Sequence, residues 1–124
     1  MASGIIRTDL ILLWENPAPT SNMSATKIAL DLSGYSEIRL YYKSSGNGTT
    51  IFTRDIPNVV GFNASAEVYG NPTGSSDVIL YRRQFDVLSD GIYVNDGTSK
   101  NVKTSAASTS VNSICIPWRI YGRL

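Results

Sequence analysis

Hydrophobic and polar positions alternate along most of this chain with a period of two, the signature of strands that each bury one face. The clearest instance is Ser24 to Lys43, which reads as two strands joined by a short turn. In the first, Ile28, Leu30 and Leu32 alternate with Lys27, Ala29 and Asp31; in the second, Ile38, Leu40 and Tyr42 alternate with Glu37, Arg39, Tyr41 and Lys43. Ser33 to Ser36 supply the small residues of a hairpin connection, and Gly34 can take a positive φ without steric cost. The rest of the chain is expected to organise around this hairpin.

The alternation recurs downstream. Thr50, Phe52, Arg54 and Ile56 share one face before Pro57-Asn58. Phe62, Ala64, Ala66 and Val68 share another, where the small alanines imply close approach of something bulky. Ile79, Tyr81, Arg83 and Phe85 form a third, mixed face, and Ile92 to Val94 reads as a short strand between tight turns at Asp90-Gly91 and Asp96-Gly97. At the end, Ile114, Ile116, Trp118 and Ile120 alternate with Cys115, Pro117, Arg119 and Tyr121, so this strand should be core. Pro117 lacks an N–H, which places it at a sheet edge or on a bulge. Glu15 to Asn22, with two prolines, reads as an extended loop; Gly70 to Ser76 is the longest loop, and Lys100 to Ser113, with the low-complexity run Ser105 to Ser110, is a weakly specified excursion. No segment sustains a 3.6-residue period. The pattern predicts an all-β fold, a jelly-roll-like antiparallel β-sandwich of about eight short strands. A single domain over 1–124 is expected, with 1–23 as an N-terminal strand and Pro-rich loop and 24–124 as the sandwich body.

Composition narrows the function classes. The chain has 124 residues, 42% of them hydrophobic, enough for one core. Eleven basic against ten acidic residues give a net charge of +1, which argues against general attraction to nucleic acid or anionic lipid. The apolar stretch Ile5 to Trp14 is broken by Arg7 and Asp9 and does not resemble a signal peptide, and no run reaches the length of a membrane span. The chain contains no histidine, which removes the commonest general base and zinc ligand. Cys115, the single cysteine, has no intramolecular partner and is expected as a buried structural thiol. There is no G-x-S-x-G nucleophile elbow. The loop acids Asp86, Asp90 and Asp96 are the nearest thing to a glycosidase pair, and Asp90, Asn95 and Asp96 offer oxygens to calcium. Asp-Gly turns explain these residues conformationally, and their spacing matches no EF-hand. No catalytic residue, metal ligand or cofactor is therefore expected, and the chain reads as a non-enzyme.

Aromatic residues remain. Tyr41 and Tyr69 fall on the polar parity of their strands, and Trp14 precedes the Pro-rich loop, positions that suit stacking on a sugar or a subunit contact. Packing is the default for both Trp14 and Trp118. With Arg39 and Lys43 beside Tyr41, the candidate contact set is Trp14, Arg39, Tyr41, Lys43 and Tyr69.

Leu13-Trp14-Glu15-Asn16-Pro17-Ala18-Pro19-Thr20-Ser21, the segments Asp31 to Tyr35 and Ile38 to Tyr42, and the ending Cys115 to Gly122 resemble small tail-associated structural proteins and tail-fibre domains of bacteriophages that infect Gram-positive gut bacteria. The resemblance covers both ends of the chain and leaves Thr49 to Ser110 outside it. It implies a non-enzymatic virion component, assembled in the host cytoplasm and facing outward, that forms a homo-oligomer with a trimer favoured. Its implied partners are other virion proteins and host cell-surface polysaccharide, without nucleic acid or membrane insertion. The alternative is a free-standing carbohydrate-binding module that stacks sugars on Tyr41, Tyr69 or Trp14.

Overall fold

The computed structural model describes residues 9–46, 48–70, 78–104 and 107–124. The expectations for Ile5 to Thr8, Asn47, the loop residues Asn71 to Ser76 and Ser105-Ala106 lie outside these. Among the described residues nine strands follow in order: β1 (Leu10–Glu15), β2 (Thr26–Ala29), β3 (Glu37–Ser45), β4 (Ile51–Pro57), β5 (Asn63–Gly70), β6 (Ile79–Leu88), β7 (Gly91–Asn101), β8 (Thr109–Ser110) and β9 (Ile114–Arg123). They form two antiparallel sheets, one ordered β1-β9-β3-β4 and the other β2-β7-β6-β5 with β8 added to β7. The expected all-β sandwich is the observed architecture.

The core lies between the sheets. Ile38, Leu40, Tyr42, Ile56 and Ile120 from one side meet Ala64, Phe85, Val87, Ile92 and Val94 from the other, all buried. Each large apolar side chain so placed stabilises the fold by about 1.5–3 kcal/mol. The alternation of β3 and β5 is read directly in their burial. The bulky neighbours implied by the alanines are Phe85, paired with Ala64, and Arg83, paired with Ala66.

The expected hairpin is corrected. β2 pairs with β7, through Lys27↔Tyr93 and Ile28↔Ile92, whereas β3 pairs with β4 and β9, so the two halves of Ser24 to Lys43 lie in different sheets. The connection between them arches over the end of the core with Leu32 buried in it and Gly34 at φ +87°. Asn58 Nδ2 secures the arch by donating to the carbonyls of Leu32 (2.8 Å) and Tyr35 (2.9 Å). A period of two marks a strand with one apolar face; it does not say whether the next strand lies beside it or across the core.

Bulges correct the expected turn at Asp96-Gly97, meet the expectation for Pro117 and break the strict alternation expected of β9. Asp96-Gly97 is not a turn, because β7 runs through it: Val94 pairs with Phe85 and Gly97 with Arg83, leaving Asn95 and Asp96 opposite the single residue Gln84. β9 lies at the centre of its sheet, and Pro117 sits beside a bulge, as its missing N–H allows: Tyr42 pairs with Pro117 and Tyr41 with Arg119, so Trp118 is the extra residue. That extra residue ends the strict parity of β9 and turns Trp118 away from the core.

Arg83, on the mixed face, is fully buried. Its five N–H donors all end on backbone carbonyls: Nε on Ile114 (3.3 Å), Nη1 on Met23 and Asn95 (both 2.8 Å), and Nη2 on Asn112 (3.2 Å) and Ile114 (3.1 Å). One guanidinium thereby ties β6 to the loop before β2, the β7 bulge and the entry to β9. Burial lowers its pKa, with Cys115 and Asp96 acting in the opposite direction. Cys115 is buried next to it, and burial pushes its thiol pKa up to about 12, so the expected structural thiol is what the fold contains.

Candidate functional site

Residues paired across an antiparallel ladder share a face, so the register lays out the outer surface of the β1-β9-β3-β4 sheet in rows. One row is Leu10, Arg123 and Glu37; the next is Leu12, Tyr121, Arg39 and Asp55; the third is Glu15, Arg119, Tyr41 and Thr53. The Trp118 bulge inserts its indole beside the third row.

The centre of this face is aromatic. The Tyr41 ring lies 5.4 Å from Tyr121 at 71° and 6.4 Å from Trp118 at 88°, both edge-to-face. The Arg119 guanidinium stands 3.8 Å over the Trp118 ring and also donates through Nη2 to Glu15 Oε2 at 3.2 Å. Edge-to-face rings and a cation over indole are each worth about 0.5–1.5 kcal/mol, so the cluster holds its own geometry.

Ion pairs surround it. Arg39 grips Asp55 in a two-pronged fork, Nε to Oδ1 at 2.7 Å and Nη2 to Oδ2 at 3.0 Å. Arg123 bridges Glu37 (2.9 Å) and Asp9 (2.8 Å). The hydrogen bonds from Arg39 hold the Asp55 carboxyl below the usual carboxylate range, against the effect of burial. These pairs are partly exposed, and each contributes only about 0–1 kcal/mol to stability. Their consequence is electrostatic: Arg39, Lys43, Arg119 and Arg123 cancel Asp9, Glu15, Glu37 and Asp55 in formal charge.

Of the residues singled out from sequence, the fold brings Arg39, Tyr41 and Lys43 onto this one face. Trp14 is not with them: it pairs with Ile120, packs half-buried against the core, and lines a surface recess of about 420 Å³ with Asn16, Met23 and Ile28. Tyr69 lies on β5 of the other sheet, 63% exposed, paired with Leu80. Trp118 and Tyr121 were missed. Tyr121 carried a signal, since it shares the polar parity of Arg119; Trp118 was hidden by the bulge, for which Pro117 was the only marker.

The loop acids are engaged as structural ties. Asp90 pairs with Lys27, Asp96 Oδ1 accepts the Ala25 N–H (2.8 Å), and Asp86 accepts from Asn63 (2.6 Å) and Asn95 (3.0 Å). Among the described residues no group of three or more His, Cys, Asp or Glu is placed to hold a metal ion. Comparisons with protein-family models, with curated proteins and with solved structures find no match to this chain.

Proposed function

We propose that this chain is a non-enzymatic structural module of a bacteriophage virion, at the tail or on a fibre, and that the outer face of its β1-β9-β3-β4 sheet is an association surface. The virion assignment draws on the resemblance of the two ends of the chain. The association surface draws on one observation: the Tyr41, Trp118 and Tyr121 cluster, ringed by charges that neutralise one another. An aromatic and arginine centre within a polar rim is the anatomy of protein–protein contacts. A sugar platform needs an open ring face, whereas Trp118 has one face under Arg119 and Tyr41 is wedged between two rings.

A second reading, attachment to host-surface glycan or free-standing carbohydrate binding, is favoured by Tyr69, whose exposed ring stands on the opposite sheet. Two experiments separate these readings. Immunogold labelling of phage particles with antibody to this chain should mark the tail or fibres; unlabelled particles would remove the virion assignment. A glycan array should show no saturable binding that depends on Tyr41, and binding abolished by Tyr69→Ala would favour attachment.

A further inference from the structure

We propose that β1 is a pairing edge for a second copy of this chain, joined antiparallel to its own counterpart about a two-fold axis through Ile11. This goes beyond the association reading, because it concerns the edge of that sheet and leaves its outer aromatic face free for other contacts.

Among the described residues, no strand pairs with the second edge of β1. Open edges are usually guarded by charge or proline, and the far edge of the same sheet is: β4 carries exposed Thr53, Arg54, Asp55 and Pro57. β1 reads Leu10-Ile11-Leu12-Leu13-Trp14 before its first charge, Glu15, and is apolar on both faces. Ile11, on the inner face, is 39% exposed, and Leu12, on the outer face, is 48% exposed.

The ladder fixes which backbone groups face outward. The Leu124 N–H donates to the Asp9 carbonyl at 3.0 Å, so Asp9 and Leu124 are a hydrogen-bonded pair, and by alternation Ile11 and Gly122 are the next. The N–H and C=O of Leu10 and Leu12 therefore point to the open edge. About a two-fold axis at Ile11, Leu10 of each copy lies opposite Leu12 of the other, and these two pairs exchange both of their hydrogen bonds. Ile11 meets its own counterpart in the close, non-hydrogen-bonded position, with Cα atoms about 4.5 Å apart. The bulge at Leu13 ends the pairing on each side.

The contact is self-consistent in chemistry as well as register. The outward groups are peptide donors and acceptors at the spacing of a strand, which the same groups of a second copy match in register. The two exposed apolar residues of β1 are the ones covered. Because the charges on the outer face cancel, a second copy meets no like-charge field.

Light scattering on the full chain should give twice its 13.5 kDa mass at micromolar concentration. Ile11→Lys and Ile11→Glu should each halve that mass with unchanged far-UV circular dichroism, and an equimolar mixture of the two should restore the dimer. A wild-type monomer at every concentration overturns the proposal, as does a trimer, or a dimer that survives Ile11→Lys. If either variant fails to fold, hydrogen exchange on the wild type decides: slow Leu10 and Leu12 amides support the pairing, and free exchange overturns it. A monomer in solution with labelled phage tails would remove this pairing while leaving the virion assignment intact; a dimer with unlabelled particles would do the reverse.

Discussion

Replacing Arg83 with methionine removes five hydrogen bonds from the centre of the molecule while keeping an unbranched apolar stem of similar reach. The Asn112 carbonyl keeps the N–H of Met23 (3.0 Å), so the oxygens of Met23, Asn95 and Ile114 bear the loss. A buried acceptor stripped of its donor costs about 1–3 kcal/mol, roughly 3–9 kcal/mol for the three. Against this, methionine abolishes the desolvation of a buried cation, about 3 kcal/mol; the Arg83 stem is already buried, so apolar burial hardly changes. The difference is a net destabilisation of about 3 kcal/mol, a large share of the roughly 5–15 kcal/mol that holds a domain together. In urea, with a slope of about 1.5 kcal/mol/M, the unfolding midpoint should fall by about 2 M. Arg83→Lys keeps the charge but cannot span carbonyls from four separate residues, and should lose about half as much. A midpoint for Arg83→Met at or above wild type would refute the reasoning, because the carbonyl nest would then cost more to maintain than it returns. Full retention of stability in Arg83→Lys would show that charge rather than the guanidinium fork is what matters.

Other consequences follow from the same region. A Cβ at Gly97 would lie 2.1 Å from the Val111 carbonyl oxygen and 2.9 Å from Ile114 Cδ1, so Gly97→Ala should destabilise by about 2–4 kcal/mol. Combined with Arg83→Met, the two losses should be less than additive in a double-mutant cycle, since both loosen the same nest. The folded-state pKa of Cys115 is raised to about 12 from its ordinary 9.0, so its contribution is complete below pH 9 and is lost as pH rises toward 12. Alkaline titration of stability should therefore fall more steeply in wild type than in Cys115→Ala over that window, and native protein at pH 8 should resist thiol reagents until it unfolds.

The fold class was legible because strand alternation is a local property: the burial of Ile38, Leu40 and Tyr42, or of Ala64 and Ala66, needs only a period of two. Pairing was not legible. β2 and β3 both carry one apolar face, and burying both faces in one core is satisfied equally by neighbours in a sheet or by partners across it; the longer arch around buried Leu32 decided for the latter. Arg83 could be read only as a member of a mixed face because its carbonyl partners come from Met23, Asn95, Asn112 and Ile114, which no local window includes. The outer face was half legible: Arg39, Tyr41 and Lys43 sit on one parity of one strand, while Trp118 joined them only through a bulge that shifted its side. Trp14, assigned to the same contact set, faces inward because Leu13 is itself a bulge and resets the parity of β1.

If the chain is the virion component proposed above, the aromatic face of the first sheet is the surface it buries on assembly. Hydroxyl-radical footprinting of the chain, free and within purified virions, tests this in one comparison. Tyr41, Trp118 and Tyr121 should lose reactivity on assembly while Tyr69 keeps its own. Protection of Tyr69 with Tyr41, Trp118 and Tyr121 unchanged would contradict the account and place the working surface on the opposite sheet.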